Sequence, residues 1–263
     1  MNFKWFPIVF FVLLLKLWST VAYAKDKAIS LNPKHFLTFQ LHRENFFFPA
    51  YRAKGATGAY QDTEVKYQFS FLIQLVAGKR HSFSFAYTQK SFWQLYDGKH
   101  SNPFRETNYN PQFFYRYNLG VLLFDMGYEH ESNGEEDPMS RSWDRGYARI
   151  VLRSFSFKLS LKYWAVLLED YYGPECVERL DPLIRYLGRS ELAITWHIGR
   201  LMFRHRGRYN FSSGYGFQEH MLLYPWSNNR IFWTIAYSKG YGDSLRDYNH
   251  SLESYGIGLL INP

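Results

Sequence analysis

Two short segments hold the residues best suited to chemistry: Tyr128-Glu-His-Glu-Ser-Asn-Gly134 and Ser140-Arg-Ser-Trp-Asp-Arg145. His130 and Ser132 are two residues apart, and Asp144 follows twelve residues after the serine. Both flanks read as β-strands, where side chains i and i+2 share a face, so the imidazole and hydroxyl point the same way. A serine hydroxyl becomes a nucleophile when a base lies within hydrogen-bond reach and a third group fixes the base's tautomer. His130 can be that base. Counting back from it by twos gives Tyr128, Met126, Phe124 and Leu122, while Glu129, Gly127 and Asp125 form the other row. Asp144 opens the following strand on the face of Gly146, Ala148, Ile150 and Leu152, opposite Arg145, Tyr147 and Arg149. A hairpin sets these strands side by side, which makes a Ser–His–Asp triad possible on an apolar face. That is a suitable position if the substrate is a lipid. On spacing alone, a His-Ser pair at a strand end is more often a solvated loop.

The elements carrying these residues begin after an expected leader. In residues 1–24, Lys4 precedes the apolar run Trp5–Leu15, and Ala22-Tyr-Ala24 has the small-x-small cleavage pattern. Removing this segment takes away two lysines and lowers the formal charge from +8 to +6. The remainder, about 239 residues, suits a single domain. Export argues against nucleic acid as the partner of the basic excess, and lipid phosphates or a charged interior suit it better. The one cysteine, Cys176, has no internal disulfide partner.

Aromatic residues make up 21% of the chain, with 22 Tyr, 24 Phe and 8 Trp, yet the mean hydropathy is below zero. Export, a high aromatic load and low hydropathy together point to an all-β membrane barrel, in which alternate residues face lipid and aromatic girdles mark the interfaces. Period-two runs recur. Phe157, Leu159, Leu161 and Tyr163 alternate with Lys158, Ser160 and Lys162, and Arg204, Arg206 and Arg208 share one face. The pattern predicts twelve antiparallel strands, at 35–43, 64–77, 81–95, 108–118, 120–131, 142–153, 155–168, 183–198, 200–211, 214–225, 229–241 and 247–262. Longer loops are predicted at 44–63, 96–107, 132–141, 169–182 and 242–246. No Gly-x-Ser-x-Gly elbow, His-Glu-x-x-His pair or phosphate loop occurs. Glu129, Glu131, Glu135, Glu136 and Asp137 crowd around His130, Ser132 and Asp144; oxygen-rich loops suit a hard cation, but on spacing alone an ordinary charged loop is the better reading.

The segments His130–Gly134 and Ser140–Arg145 resemble the active-site signature of the outer membrane phospholipase A family. So do Tyr87-Thr-Gln-Lys-Ser-Phe-Trp-Gln-Leu95, Ser101-Asn-Pro-Phe-Arg-Glu-Thr-Asn-Tyr-Asn-Pro-Gln112 and Gly240-Tyr-Gly-Asp-Ser-Leu-Arg-Asp-Tyr248. The resemblance implies a twelve-stranded outer-membrane barrel that hydrolyses phospholipid acyl esters, depends on calcium and acts as a homodimer. It makes Ser132 the nucleophile, His130 the base and Asp144 the orienting group, with the Gly134 amide as oxyanion donor. For calcium it implies the Ser140 hydroxyl, the Glu135 carbonyl and, from a second subunit, a side-chain oxygen at Ser101. The chain departs from the family pattern in four ways. Asp144 stands where Asn is common, and Glu135 stands where Arg is common. Asn102 stands where a second serine is common, so a one-residue shift in the match exchanges it with Ser101. The final residues Leu260-Ile-Asn-Pro263 lack the usual terminal aromatic. The alternative is a structural or pore-forming barrel whose site has decayed.

Overall fold

A computed structural model describes residues 38–170, 182–227 and 230–261. The leader at 1–24 and Cys176 lie outside the described residues.

The chain forms one closed antiparallel sheet. β1 (Thr38–Leu41) and β2 (Asn45–Ala53) are successive halves of the first barrel strand, both paired to β3 (Thr63–Ala77). The wall continues through β4 (His81–Trp93), β5 (Phe104–Asn118), β6 (Leu122–Ser132), β7 (Ser142–Arg153) and β8 (Phe157–Asp170). It then runs through β9 (Ser190–Ile198), β10 (Leu201–Tyr209), β11 (Gly216–Ser227), β12 (Ile231–Tyr241) and β13 (Ser251–Ile261). Pairing of β13 with β2 closes the cylinder at twelve strands, so their backbone groups bond within the sheet rather than face lipid, while β1 is paired to β3 alone among the described residues.

The expected first strand at 35–43 and loop at 44–63 need correction, because residues 45–53 are strand. The run Phe46-Phe47-Phe48-Pro49 does not alternate. Pro49 has no N–H to give to a ladder, and the register of β2 shifts at this point against both β3 and β13. Residues 183–187, expected as strand, form a short helix that buries Leu183, Tyr186 and Leu187.

Alternation sorts the side chains as a membrane barrel requires. Phe69, Phe113, Phe124, Ile150, Leu161 and Ile235 point outward. Trp196, Trp226 and Trp233 lie outward near the short-turn end, as in an interfacial aromatic belt. The inside is charged and paired. Asp125 receives Arg116 Nε at 2.7 Å and Arg149 Nε at 2.9 Å. Arg204 pairs with Glu44 and Arg206 with Glu219, each at 3.0 Å. The arginine row of β10 is therefore part of an interior network.

At the long-loop end, residues 242–250 fold back into the cylinder. Asp243 accepts from Lys66 Nζ at 2.7 Å. Arg105 reaches Glu64 through Nη2 at 2.9 Å and Asp247 through Nη1 at 2.8 Å. Trp143, Trp164, Leu183, Tyr186, Leu245 and Tyr248 pack beside these ion pairs as an apolar cap.

Candidate active site

The alternation of β6 fixes which residues face outward. Glu129 is fully buried on the inner row, where Lys162 Nζ donates to both of its oxygens at 2.7 Å and Arg145 and Arg43 lie at 3.2 and 3.4 Å. Glu131 accepts from Arg145 Nη2 at 2.6 Å and from Trp143 Nε1 at 3.0 Å. A one-residue slip would turn these charges into lipid. A buried charge stripped of its partner costs about 3–5 kcal/mol, so the inner pairs lock the register. The outer row, Tyr128, His130 and Ser132, follows from that lock.

His130 lies directly opposite Asp144 in the β6–β7 ladder. Its Nδ1 is 2.8 Å from Asp144 Oδ1, and both groups are partly exposed on the outer wall. The same oxygen accepts a hydrogen bond from Tyr128 OH at 2.6 Å. With Nδ1 engaged by the carboxylate, Nε2 is the nitrogen left for a hydroxyl. Ser132, two residues on and on the same face, is paired with Tyr109 on one side and Ser142 on the other. The register sets Pro111 of β5 opposite His130. Proline has no ladder N–H, and Asn110 Nδ2 instead donates to the His130 carbonyl at 2.6 Å. The histidine backbone is thus held where the regular ladder is interrupted.

Gly134 follows with φ +64°, and a Cβ there would stand 2.9 Å from Tyr109 Cε2. Both the left-handed conformation and the close ring require glycine. Asn133 closes the loop 133–141. Its backbone N–H donates to the Arg141 carbonyl at 3.1 Å and its Nδ2 to the Met139 carbonyl at 2.8 Å. Its Oδ1 accepts from the N–H groups of Arg141 at 2.9 Å and Glu135 at 3.3 Å. Glu135 and Ser140 are carried on this cinched loop.

Six of the seven residues singled out in the sequence, His130, Ser132, Gly134, Glu135, Ser140 and Asp144, are thus carried on one hairpin. Ser101 is not. It sits exposed in the β4–β5 loop with φ 63°, beside Asn102, whose side-chain amide donates to the Leu95 carbonyl. Among the described residues, no three His, Cys, Asp or Glu side chains gather as a metal site. The loop offers a carbonyl and a hydroxyl, neutral hard oxygens of the kind calcium takes, but fewer than the six to eight that it collects. The donor set fits part of such a site, and the remaining ligands must come from elsewhere. Tyr128 and Asn133 are additions to the sequence reading, because nothing in their type or spacing separates them from a lipid-facing aromatic and a polar loop residue.

A family model described as phospholipase A1 matches residues 17–261. The phospholipase A1 of Salmonella typhimurium is 39% identical over 210 residues, covering 76% of this chain and 70% of the relative. That of Escherichia coli strain K12 has the same identity and coverage. Among solved structures, the Salmonella typhi outer membrane phospholipase dimer with bound calcium superposes with a TM-score of 0.76 at 31% identity, covering 86% of this chain and 92% of that one. Outer membrane phospholipase A from Escherichia coli gives 0.76 at 30% identity, covering 86% and 98%. With matches extending along nearly the whole barrel, this chain belongs to the phospholipase A1 family.

Proposed function

We propose that this chain hydrolyses phospholipid acyl esters in the bacterial outer membrane, as a calcium-dependent homodimer, with Ser132 as nucleophile. The observation that carries the reading is the contact of His130 Nδ1 with Asp144 Oδ1 at 2.8 Å on the outward face of the wall. An acyl chain lies along the outer row of β6 and brings its ester carbonyl to Ser132 at the long-loop end. His130 Nε2 takes the hydroxyl proton as Oγ attacks the carbonyl carbon. The developing oxyanion accepts the Gly134 N–H. His130 then gives the proton to the departing lysophospholipid oxygen. Water, deprotonated by the same imidazole, cleaves the acyl-serine and releases the fatty acid. Asp144 keeps the imidazole in the productive tautomer throughout and balances its transient positive charge.

Calcium would be held by the Glu135 carbonyl, the Ser140 hydroxyl and Ser101 of the partner subunit, and when bound it supplies positive charge for the oxyanion. Asn102 is turned into its own loop, with Nδ2 donating to the Leu95 carbonyl, whereas Ser101 is exposed, and this exposure favours Ser101 as the donor toward a second copy. Dimerisation has support from the wall itself. Tyr87 OH donates to Gln89 Oε1 at 3.1 Å, Gln89 Nε2 to Ser91 Oγ at 3.3 Å, and Thr107 Oγ1 to Ser91 Oγ at 3.1 Å. This polar stripe runs over the outward side of β4 and β5, next to β6. Polar groups on a lipid-facing wall favour burial against another protein. Residues 1–24 would direct export and be removed.

The test is fatty-acid release from a defined phospholipid by the refolded chain in detergent, with calcium and with excess EDTA. Release that requires calcium supports the reading. Release undiminished by EDTA removes the metal, and no release under either condition removes the hydrolase assignment for this chain.

A further inference from the structure

Glu135 contributes only its backbone carbonyl to the proposed calcium site, yet its side chain is not idle. Its Oε1 lies 3.2 Å from Arg246 Nη2. Arg246 belongs to the loop that plugs the cylinder, and its guanidinium is mostly buried. Its backbone N–H donates to Glu106 Oε1 at 2.8 Å inside the barrel, and the preceding Leu245 N–H donates to Asn108 Oδ1 at 3.3 Å. Its Nη1 also passes close to Gly58 of the β2–β3 loop, where an added Cβ would come within 2.5 Å of it. One side chain thus threads from the anchored plug, past the β2–β3 loop, to the loop bearing Glu135 and Ser140.

The same two loops meet a second time. Arg141, next to Ser140, holds the carbonyls of Pro138 at 2.8 Å and Ser140 at 2.6 Å through Nη1. Its guanidinium lies 5.8 Å from the ring centroid of the buried Tyr248, two residues beyond Arg246 in the plug. The plug therefore grips the site loop at both ends, at Glu135 and at Arg141. It is itself fastened to the wall by Asp243 with Lys66 and Asp247 with Arg105.

We infer that Arg246 is a positioning residue: by pairing with Glu135 it ties the calcium-bearing loop to the interior plug and sets where the Glu135 carbonyl and Ser140 hydroxyl stand before the metal arrives. This rests on the proposed calcium role of that loop. Pre-ordering a donor pair lowers the ordering cost of binding. Loss of the tie then weakens calcium binding without changing the donors. A partly exposed ion pair of this kind carries a roughly two- to five-fold effect on an equilibrium.

The experiment uses the full refolded chain and compares the parent with Arg246→Gln, Glu135→Gln, Arg246→Lys and the exchanged double variant Glu135→Arg/Arg246→Glu. Two quantities are read against calcium concentration: dimer formation by sedimentation in detergent, and fatty-acid release. Both Gln variants should raise the half-saturating calcium concentration roughly two- to five-fold in both measurements. The Lys variant should shift it less, and the exchanged pair should return towards the parent. The thermal unfolding midpoint in EDTA should stay level across the set. Calcium curves that overlie the parent's in both Gln variants, or no recovery in the exchanged pair, would overturn the inference while leaving the hydrolase reading intact. A parent that ignores calcium in both measurements would overturn the metal role and the strap together. Should the Gln variants fail to refold, the Lys variant and the exchanged pair decide the matter on the same curves.

Discussion

The Tyr128 hydroxyl donates to the Asp144 carboxylate at 2.6 Å, on the oxygen that also faces His130 Nδ1. A carboxylate on a lipid-facing wall has little water to disperse its charge, and the phenol supplies a fixed donor instead. Tyr128→Phe removes that donor and leaves the ring. Hydrogen bonds to charged groups contribute about 1.5–3 kcal/mol, and the partial exposure of both groups puts this one at the low end. The expected result is a fall in kcat/KM of roughly tenfold. Steady-state fatty-acid release by the variant checks this, and a kcat/KM equal to the parent's would leave Tyr128 with packing alone.

Asp144→Asn probes the same oxygen from the other side. An amide carbonyl still accepts from imidazole and from Tyr128, so the histidine stays oriented. Fatty-acid release by the variant should therefore be largely retained. Complete inactivity with an intact barrel would mean that the carboxylate charge, beyond its geometry, is indispensable.

Much of this arrangement was legible in the sequence, because a barrel strand writes its orientation at period two. Tyr128, His130 and Ser132 fall out of step with Asp125 and Glu129, and a one-residue slip would part Glu129 from Lys162 and Arg145. The outward face of His130, Ser132 and Asp144 was therefore readable, and the roles proposed for them come from the family signature. Residues 45–53 were not readable as strand, since three consecutive phenylalanines and Pro49 hide the alternation, and the bulge that accommodates them depends on β3 and β13. Nor was the helix at 183–187, whose apolar residues are buried by the distant Leu245 and Tyr248. Arg246 was invisible for the same reason: its partner Glu135 is more than a hundred residues away, and only the folded plug brings them together.

Gly134→Ala tests the oxyanion donor. The left-handed backbone at φ +64° disfavours a side chain, and the new methyl would meet the Tyr109 ring. The loop must shift, carrying the N–H with it. Loss of one oxyanion donor costs roughly a hundred- to a thousandfold in kcat, and the fall should appear in kcat more than in KM. A purely thermal defect, with kcat intact at low temperature, would remove the donor role.

The plug carries a pH dependence of its own. Burial alone would push the Asp243 carboxyl up, but the ammonium groups of Lys66 and Lys90 outweigh it and hold the group well below the usual carboxylate range. A depressed carboxylate contributes its stability above its unfolded value, about 3.9, and loses it as the pH falls towards the folded value. Asp243→Asn should therefore be less stable than the parent at neutral pH, and the gap should narrow below about pH 4. Denaturant midpoints measured across this range check the sign, and a gap that widens in acid would contradict the pairing.

The account as a whole turns on a nucleophilic serine on the barrel's outer wall, and covalent trapping reads this most directly. The refolded chain is treated with a long-chain alkyl sulfonyl fluoride, digested, and the adduct located by mass spectrometry. The predicted result is a single sulfonylated site at Ser132, with labelling abolished by His130→Ala and activity lost in proportion to label. Label on another residue, or full fatty-acid release by a chain whose Ser132 is blocked or replaced by alanine, would contradict it.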